Sequence, residues 1–136
     1  MSAYFNVKID GQVVVINTLG QWSEQVGLSF EKEMHRVIPN VSATRFAHLV
    51  TFDEWELSTP SVEPIVRRVA GWCVSQGMCV AAEVFSANVL KEYLINKATE
   101  EVKDHVTIQR FSSESDARTW LAEMGFETQT TQQLPT

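Results

Sequence analysis

The sequence lacks the features that several large classes of protein need. Cys73 and Cys79 are the two cysteines in 136 residues, so we expect reduced core thiols and neither a disulfide framework nor a four-cysteine zinc site. No apolar run approaches the roughly 20 residues that span a bilayer. The three histidines show no spacing that is typical of metal ligands. A disulfide scaffold, a metal site and a membrane span are therefore not expected.

Positive charge and glycine are also scarce. Eleven Lys and Arg residues against 17 Asp and Glu give a net charge of −6, which argues against binding to nucleic acid or an anionic membrane. The six glycines form no motif that binds dinucleotides or nucleoside triphosphates, so no cofactor is expected. The first residues show no basic region followed by an apolar run, which indicates no signal peptide and a cytoplasmic location.

A β-hairpin is predicted near the N-terminus. Two strand-like runs, residues 4–9 and 12–18, flank Asp10-Gly11, a strong hairpin signal because a type I′ turn needs positive φ at both central residues. In the first run apolar and polar residues alternate, which predicts one buried face. The second run is apolar on both faces, as in a strand near the centre of a sheet.

Helical and strand patterns alternate after the hairpin. The predicted elements are helix 24–38, strand 46–52, helix 62–76, strand 79–85, helix 88–102, strand 105–111 and a helix from 114. This order predicts an α/β fold with a single mixed, mostly parallel five-stranded sheet, whose first strand is antiparallel. One domain is expected over residues 1–126, followed by a flexible polar tail at 127–136.

The element order resembles that of the SpoIIAA-like family of STAS-type domains over about residues 4–126. Three stretches carry the resemblance: the hairpin followed by Trp22-Ser23, the strand FAHLVTFDEWE, and the ending TIQRFSSESDARTWL. The founding members of the STAS-type domains are bacterial anti-sigma-factor antagonists. The resemblance therefore implies a non-enzymatic regulatory module that binds a protein partner through the 53–61 loop and the helix after it.

Phosphorylated members of this family carry a serine in a D-S-S-G type of turn after the third strand, where phosphate adds about −2 charge. This chain keeps Asp53, but its hydroxyls in the matching segment are Ser58, Thr59 and Ser61, and neighbouring acidic residues would repel a phosphate. Regulated phosphorylation at one of the three stays open. Ser61 is otherwise expected to be an N-cap, because Pro64 then falls in the first helical turn.

The 53–61 loop is the candidate site for a partner or ligand, because open α/β sheets bind beyond the carboxyl ends of their strands. Trp55 is expected either to anchor a partner or to pack as a lid over the core. Trp22 follows another strand and should lie on the same edge of the sheet. The two rings then either frame a shallow apolar pocket or fill the helix–sheet interface. Asp53 and Glu56 contribute the acidic part of this site.

A small carrier of an apolar or lipid-like ligand is the alternative function. The fold is related to lipid-carrying Sec14-type domains, and four Trp residues suit an apolar pocket. Catalysis would need a base beside the acidic loop, or a group that orients a Cys79–His48 pair, and the sequence supplies neither. His48 is predicted to be partly buried with its hydrogen bonds satisfied. A monomer and a homodimer formed through an edge strand both stay open.

Overall fold

A computed structural model describes residues 2–128, and its elements follow the predicted order. The strands are β1 (Phe5–Asp10), β2 (Val13–Thr18), β3 (Gly20–Trp22), β4 (Phe46–Thr51), β5 (Trp55–Ser58), β6 (Met78–Val84) and β7 (Thr107–Phe111). The helices are α1 (Glu24–Val37), α2 (Val62–Ser75), α3 (Val89–Thr99) and α4 (Glu114–Glu123), with a short 3-10 helix at Ile38–Asn40. None of the helices in the described chain is long and apolar enough to cross a bilayer.

The main sheet has five strands in the order β1-β2-β4-β6-β7. β1 pairs with β2 in an antiparallel hairpin, and the other three pairings are parallel. The predicted α/β fold with a mixed, mostly parallel sheet is therefore confirmed. β1 and β7 are the edge strands of this sheet.

Alternate residues of the central strands face two separate cores. In β2, Val13 and Val15 pack toward α4, whereas Val14 and Ile16 pack toward α1, α2 and α3. The strand is buried on both faces because helices cover both sides of the sheet, which explains why its sequence is apolar throughout.

A second, two-stranded sheet lies where the sequence predicted a loop. β3 and β5 pair in parallel, with Gly20 N donating to Glu54 O at 2.8 Å and Thr59 N donating to Trp22 O at 3.0 Å. Part of the 53–61 segment is therefore a strand. Strands of three and four residues are too short to show a period in the sequence, which is why the pattern did not indicate them.

Three helices begin with a side-chain cap. Ser23, Asn88 and Ser113 each accept a hydrogen bond from a backbone N–H in the first turn of α1, α3 and α4 respectively. Ser61 precedes α2, but its hydroxyl caps no N–H of that helix and instead lies 3.1 Å from the Thr59 hydroxyl. Ser61 is therefore the N-cap residue, as predicted, with Pro64 in the first helical turn, but it forms no side-chain cap because it adopts helical backbone angles in place of the extended conformation.

Residues just beyond the predicted domain boundary pack onto the hairpin. Thr128 is buried, and Glu127 O accepts a hydrogen bond from Gln12 N at 3.3 Å. The packed part of the chain thus extends through Thr128. The rest of the predicted tail, residues 129–136, lies outside the described residues.

The turn into β6 depends on Gly77. Its φ is +116°, and its carbonyl accepts a hydrogen bond from Phe46 N at 3.1 Å, which sets the start of β6 beside β4. A Cβ at this position would overlap the carbonyl oxygen of Thr44. Position 77 therefore requires glycine for two reasons, its backbone angle and the close approach of another chain segment.

We expect Gly77→Ala to lower the free energy of unfolding by about 2–4 kcal/mol, because it combines a strained φ with a backbone clash. Gly71→Ala is the matched control, since Gly71 lies in α2 with open space around its Cβ position. Its expected effect is a gain of about 0.8 kcal/mol from helix propensity. Urea unfolding measures both changes, and equal stabilities for the two variants would contradict the account.

Candidate functional site

The two-stranded sheet brings together the two tryptophans that the sequence singled out. Trp22 ends β3 and Trp55 begins β5, so the parallel pairing holds both rings at the same edge of the main sheet. Both residues are buried, with 4% and 8% of their surface exposed. Of the two roles predicted for Trp55, the structure shows the ring packed over the core.

Hydrogen bonds and ring contacts fix the two indoles. Trp22 Nε1 donates to the carbonyl oxygens of Tyr4 and Leu19, both at 3.1 Å. Trp55 Nε1 donates to Ser58 Oγ at 3.0 Å. The rings are therefore held in defined positions with their polar N–H groups satisfied.

An apolar cavity of about 350 Å³ lies between the main sheet and helices α1, α2 and α3. Trp22 and Trp55 form part of its wall, and so do the side chains of Ser58 and Thr59. Both predicted alternatives thus apply in part: the two rings are packed into the helix–sheet core, and they also line an apolar space, which is an interior cavity and not a shallow depression. A concave, mostly apolar site with a few polar groups is the usual form of a small-molecule site.

Three polar side chains of the sheet face this cavity: Thr18 on β2, His48 on β4 and Glu83 on β6. Thr18 Oγ1 donates to Thr51 O at 2.7 Å, so its hydroxyl is satisfied within the fold. Glu83 is buried and accepts a hydrogen bond from Arg110 Nε at 3.0 Å. Two of the three groups are therefore partnered by the protein itself.

His48 is the exception among the three. Its side chain is buried, and Nε2 has no hydrogen-bond partner among the described residues. Burial lowers the pKa of His48 from its ordinary value of 6.5 to about 4, so the imidazole is neutral near pH 7. The prediction of a satisfied histidine at this position is wrong, because no polar group of the surrounding apolar wall reaches Nε2.

Glu83 and Arg110 form an ion pair at the side of the cavity. Burial raises the pKa of Glu83, and the hydrogen bond and charge of Arg110 oppose that rise. Arg110 also lies 3.2 Å from Glu92 of α3 and has its guanidinium 5.4 Å from the centre of the Phe85 ring. The pair balances the buried carboxylate and ties β7 to α3.

The cavity reaches the surface between the start of α2 and helix α3. Thr59, Pro60 and Lys97 belong to its wall and are exposed. Lys97 Nζ lies 3.7 Å from the Glu63 carboxylate, which also forms an ion pair with Arg67. Charged side chains at the opening are therefore paired across the two helices.

The other predicted site residues lie away from the cavity. Asp53 accepts a hydrogen bond from Ser86 N at 2.8 Å, so it holds the connection between β6 and α3. Glu56 is exposed on β5, and the Ser61 hydroxyl contacts Thr59. Roles for these residues in partner binding or phosphorylation stay predictions.

Sequence reasoning missed the polar groups that the sheet presents to the cavity. Glu83 stands alone in the apolar run CVAAEVF, and a single charge inside an apolar strand was the available signal. The sequence predicted His48 as a partly buried, satisfied histidine or as the partner of Cys79, and not as a side chain of a cavity wall. The two strands are neighbours, but Cys79 packs against the core on the α4 side, whereas His48 faces the cavity.

Neither a catalytic pair nor a metal site is formed by these groups. Cys79 and His48 lie on different faces of the sheet. Among residues 2–128, no three His, Cys, Asp or Glu side chains come together as metal ligands. The arrangement instead suits retention of an apolar molecule, with one polar contact available on the sheet wall.

Comparison with known proteins gives matches in structure. No family model and no curated protein matches the sequence. An uncharacterized protein with a SpoIIAA-like fold from Shewanella loihica is 12% identical, with a TM-score of 0.65, and the match covers 89% of this chain and 98% of that one.

Two structures of SpoIIAA also match. The unphosphorylated anti-sigma factor antagonist SpoIIAA is 12% identical, with a TM-score of 0.58 over 87% of this chain and 97% of its own. The phosphorylated form of the Bacillus cell fate determinant SpoIIAA is 11% identical, with a TM-score of 0.56 over 86% and 98% of the two chains. The chain therefore has a SpoIIAA-like fold, as its element order predicted.

Proposed function

We propose that this chain binds an apolar small molecule in the cavity between its main sheet and helices α1 to α3. The observation that carries the proposal is the cavity itself, about 350 Å³ of mostly apolar space inside a small domain. Protein interiors are close-packed, and empty spaces much larger than a water molecule are few. A ligand that fills this space restores the dispersion contacts that the wall residues otherwise lack.

The volume sets the size of the ligand. An apolar cavity of about 150 Å³ stays dry and accepts benzene, so by proportion this cavity accommodates about 14 non-hydrogen atoms. A bicyclic aromatic compound or a medium-length alkyl chain has this size. The ligand class is therefore a compact apolar molecule, and not a whole phospholipid.

Helix α3 supports the proposal because it provides an access route. It buries Ile95 alone among its 11 residues, whereas α2 buries four. Its outer face exposes Val89, Leu90 and Tyr93. A wall with so few buried contacts opens at a smaller free-energy cost than the rest of the domain, so α3 is the segment expected to move when a ligand enters.

Binding of a protein partner is the second candidate function. Two of the structural neighbours are SpoIIAA, described in one of them as an anti-sigma factor antagonist, and their shared fold makes a regulatory interaction module a reasonable role for this chain. The observation that favours it is an acidic edge formed by Glu54 and Glu56, which are exposed and make no ion pair with any described residue. A partner that binds there would present basic side chains.

Filling the cavity tests the first proposal. We expect Ala81→Leu, on the cavity side of β6, to weaken naphthalene binding at least tenfold because the new side chain occupies the ligand space. Quenching of Trp fluorescence measures binding, and Ala87→Leu, at an exposed position, is the control. Unchanged binding by Ala81→Leu, or no binding by the wild type, would contradict the proposal.

The neutral state of His48 predicts how stability depends on pH. Below pH 6.5 the unfolded chain binds a proton at His48 that the folded chain binds only near pH 4, so acidification favours unfolding. We expect a loss of about 3 kcal/mol in unfolding free energy between pH 6.5 and 4 from this residue. Glu83, whose pKa is raised, works in the opposite direction.

The difference in unfolding free energy between wild type and His48→Leu isolates the contribution of His48, because Glu83 is common to both chains. Urea unfolding at several pH values should show the wild type losing stability relative to the variant as the pH falls. Parallel pH profiles would show that His48 is not held neutral by burial.

The acidic edge predicts charge-dependent capture of a partner. We expect the double variant Glu54→Lys/Glu56→Lys to lose a basic protein that wild type retains from cell extract, since its charge on this edge is reversed. Glu123→Lys, at an exposed position at the end of α4, is the control and should retain that protein. Equal retention by both variants, or none by wild type, would remove the support for this candidate.

A further inference from the structure

The side chain of His48 belongs to the cavity wall, and its Nε2 is the buried side-chain polar atom of this wall that has no hydrogen-bond partner among the described residues. About nine-tenths of buried polar groups in proteins are hydrogen-bonded, and an unsatisfied one destabilises the folded state. His48 is 93% buried by its 7% exposure, so bulk water does not readily satisfy it. The atom therefore marks a position where a hydrogen-bonding group of a ligand fits.

The remaining polar side chains of the wall are already engaged. Thr18 and Glu83 have the partners described above, and Ser58 accepts from Trp55. At the opening, Thr59 contacts Ser61, Glu63 pairs with Lys97, and Thr99 Oγ1 donates to Ile95 O. Within the described chain, His48 Nε2 is thus the buried side-chain atom of this wall that makes no hydrogen bond at all.

We propose that the ligand is a neutral alcohol or phenol of about 14 non-hydrogen atoms, whose hydroxyl forms a hydrogen bond with His48 Nε2. This inference rests on the proposed function. A hydroxyl group suits the site because it both donates and accepts, so it pairs with either tautomer of a neutral imidazole. The apolar body of the ligand fills the space between the sheet and the two tryptophan rings.

The charges on the wall exclude an anionic ligand. Arg110 is engaged with Glu83, and Lys97 with Glu63, so in the described wall no cation is left to balance a carboxylate or phosphate. Burying an unpaired anion in apolar surroundings is strongly unfavourable. A fatty acid in its ionised form is therefore a poorer ligand than the corresponding alcohol.

Three matched probes test the inference: naphthalene, β-naphthol and β-naphthoate. We expect wild type to bind β-naphthol about tenfold more tightly than naphthalene, in line with one hydrogen bond made in an apolar site, and to bind β-naphthoate most weakly. In His48→Leu, the affinity for naphthalene should be retained and the preference for β-naphthol lost. Fluorescence quenching or calorimetry measures all three affinities.

Two further variants test whether the preference for β-naphthol depends on His48. His48→Gln keeps a donor and an acceptor and should retain part of the preference for β-naphthol, whereas His105→Leu, at an exposed position, should retain all of it.

In the absence of ligand, His48→Leu should raise the melting temperature by roughly 5 °C, because it removes an unsatisfied buried group. A histidine with a purely structural role would lower it.

The outcomes separate this inference from the proposed function. If wild type binds naphthalene and β-naphthol equally, or if His48→Leu keeps the preference, the cavity binds apolar molecules but the role of His48 is wrong. A bound water that satisfies His48 Nε2 would make the affinities for naphthalene and β-naphthol equal. If wild type binds neither compound, the proposed function fails and the inference fails with it.

Discussion

Parallel pairing of two short strands, β3 and β5, is the interaction on which the candidate site depends. One strand carries Trp22 and leads into α1, and the other carries Trp55 and leads into α2. The same few backbone hydrogen bonds therefore fix both rings and the starts of both helices. Because β2 and β4 end at this edge, the small sheet closes the main core there. The cavity is the space left between this closure, the sheet and the helices.

The electrostatic character of the cavity contrasts with that of the whole chain. The chain carries a net charge of −6, yet the carboxylates of Glu63 and Glu83 on the cavity wall are each balanced by a basic side chain. Burial keeps His48 uncharged near pH 7. The interior is therefore neutral, with one buried nitrogen that has no hydrogen-bond partner among the described residues, and under the proposal it would favour compact, uncharged ligands over ions.

Much of the fold could be predicted from the sequence, whereas the key polar groups of the site could not. The Asp10-Gly11 turn and the alternating periods of strands and helices encode local structure directly. The sequence did not predict the β3–β5 pairing, because strands of three and four residues are too short to show a hydrophobic period. His48 sits in an apolar strand, and its lack of a partner depends on which side chains the tertiary fold places around it, which local pattern does not encode. Trp22 and Trp55 were found because large aromatic residues at strand ends are visible in sequence.

A crystal structure of the protein with β-naphthol bound would show whether the cavity is the ligand site. We expect electron density for the rings in the cavity beside Trp22 and Trp55, with the hydroxyl oxygen at a hydrogen-bonding distance of about 2.7–3.2 Å from His48 Nε2. Density for the compound only at the surface, or within the cavity with its hydroxyl directed away from His48, would contradict it.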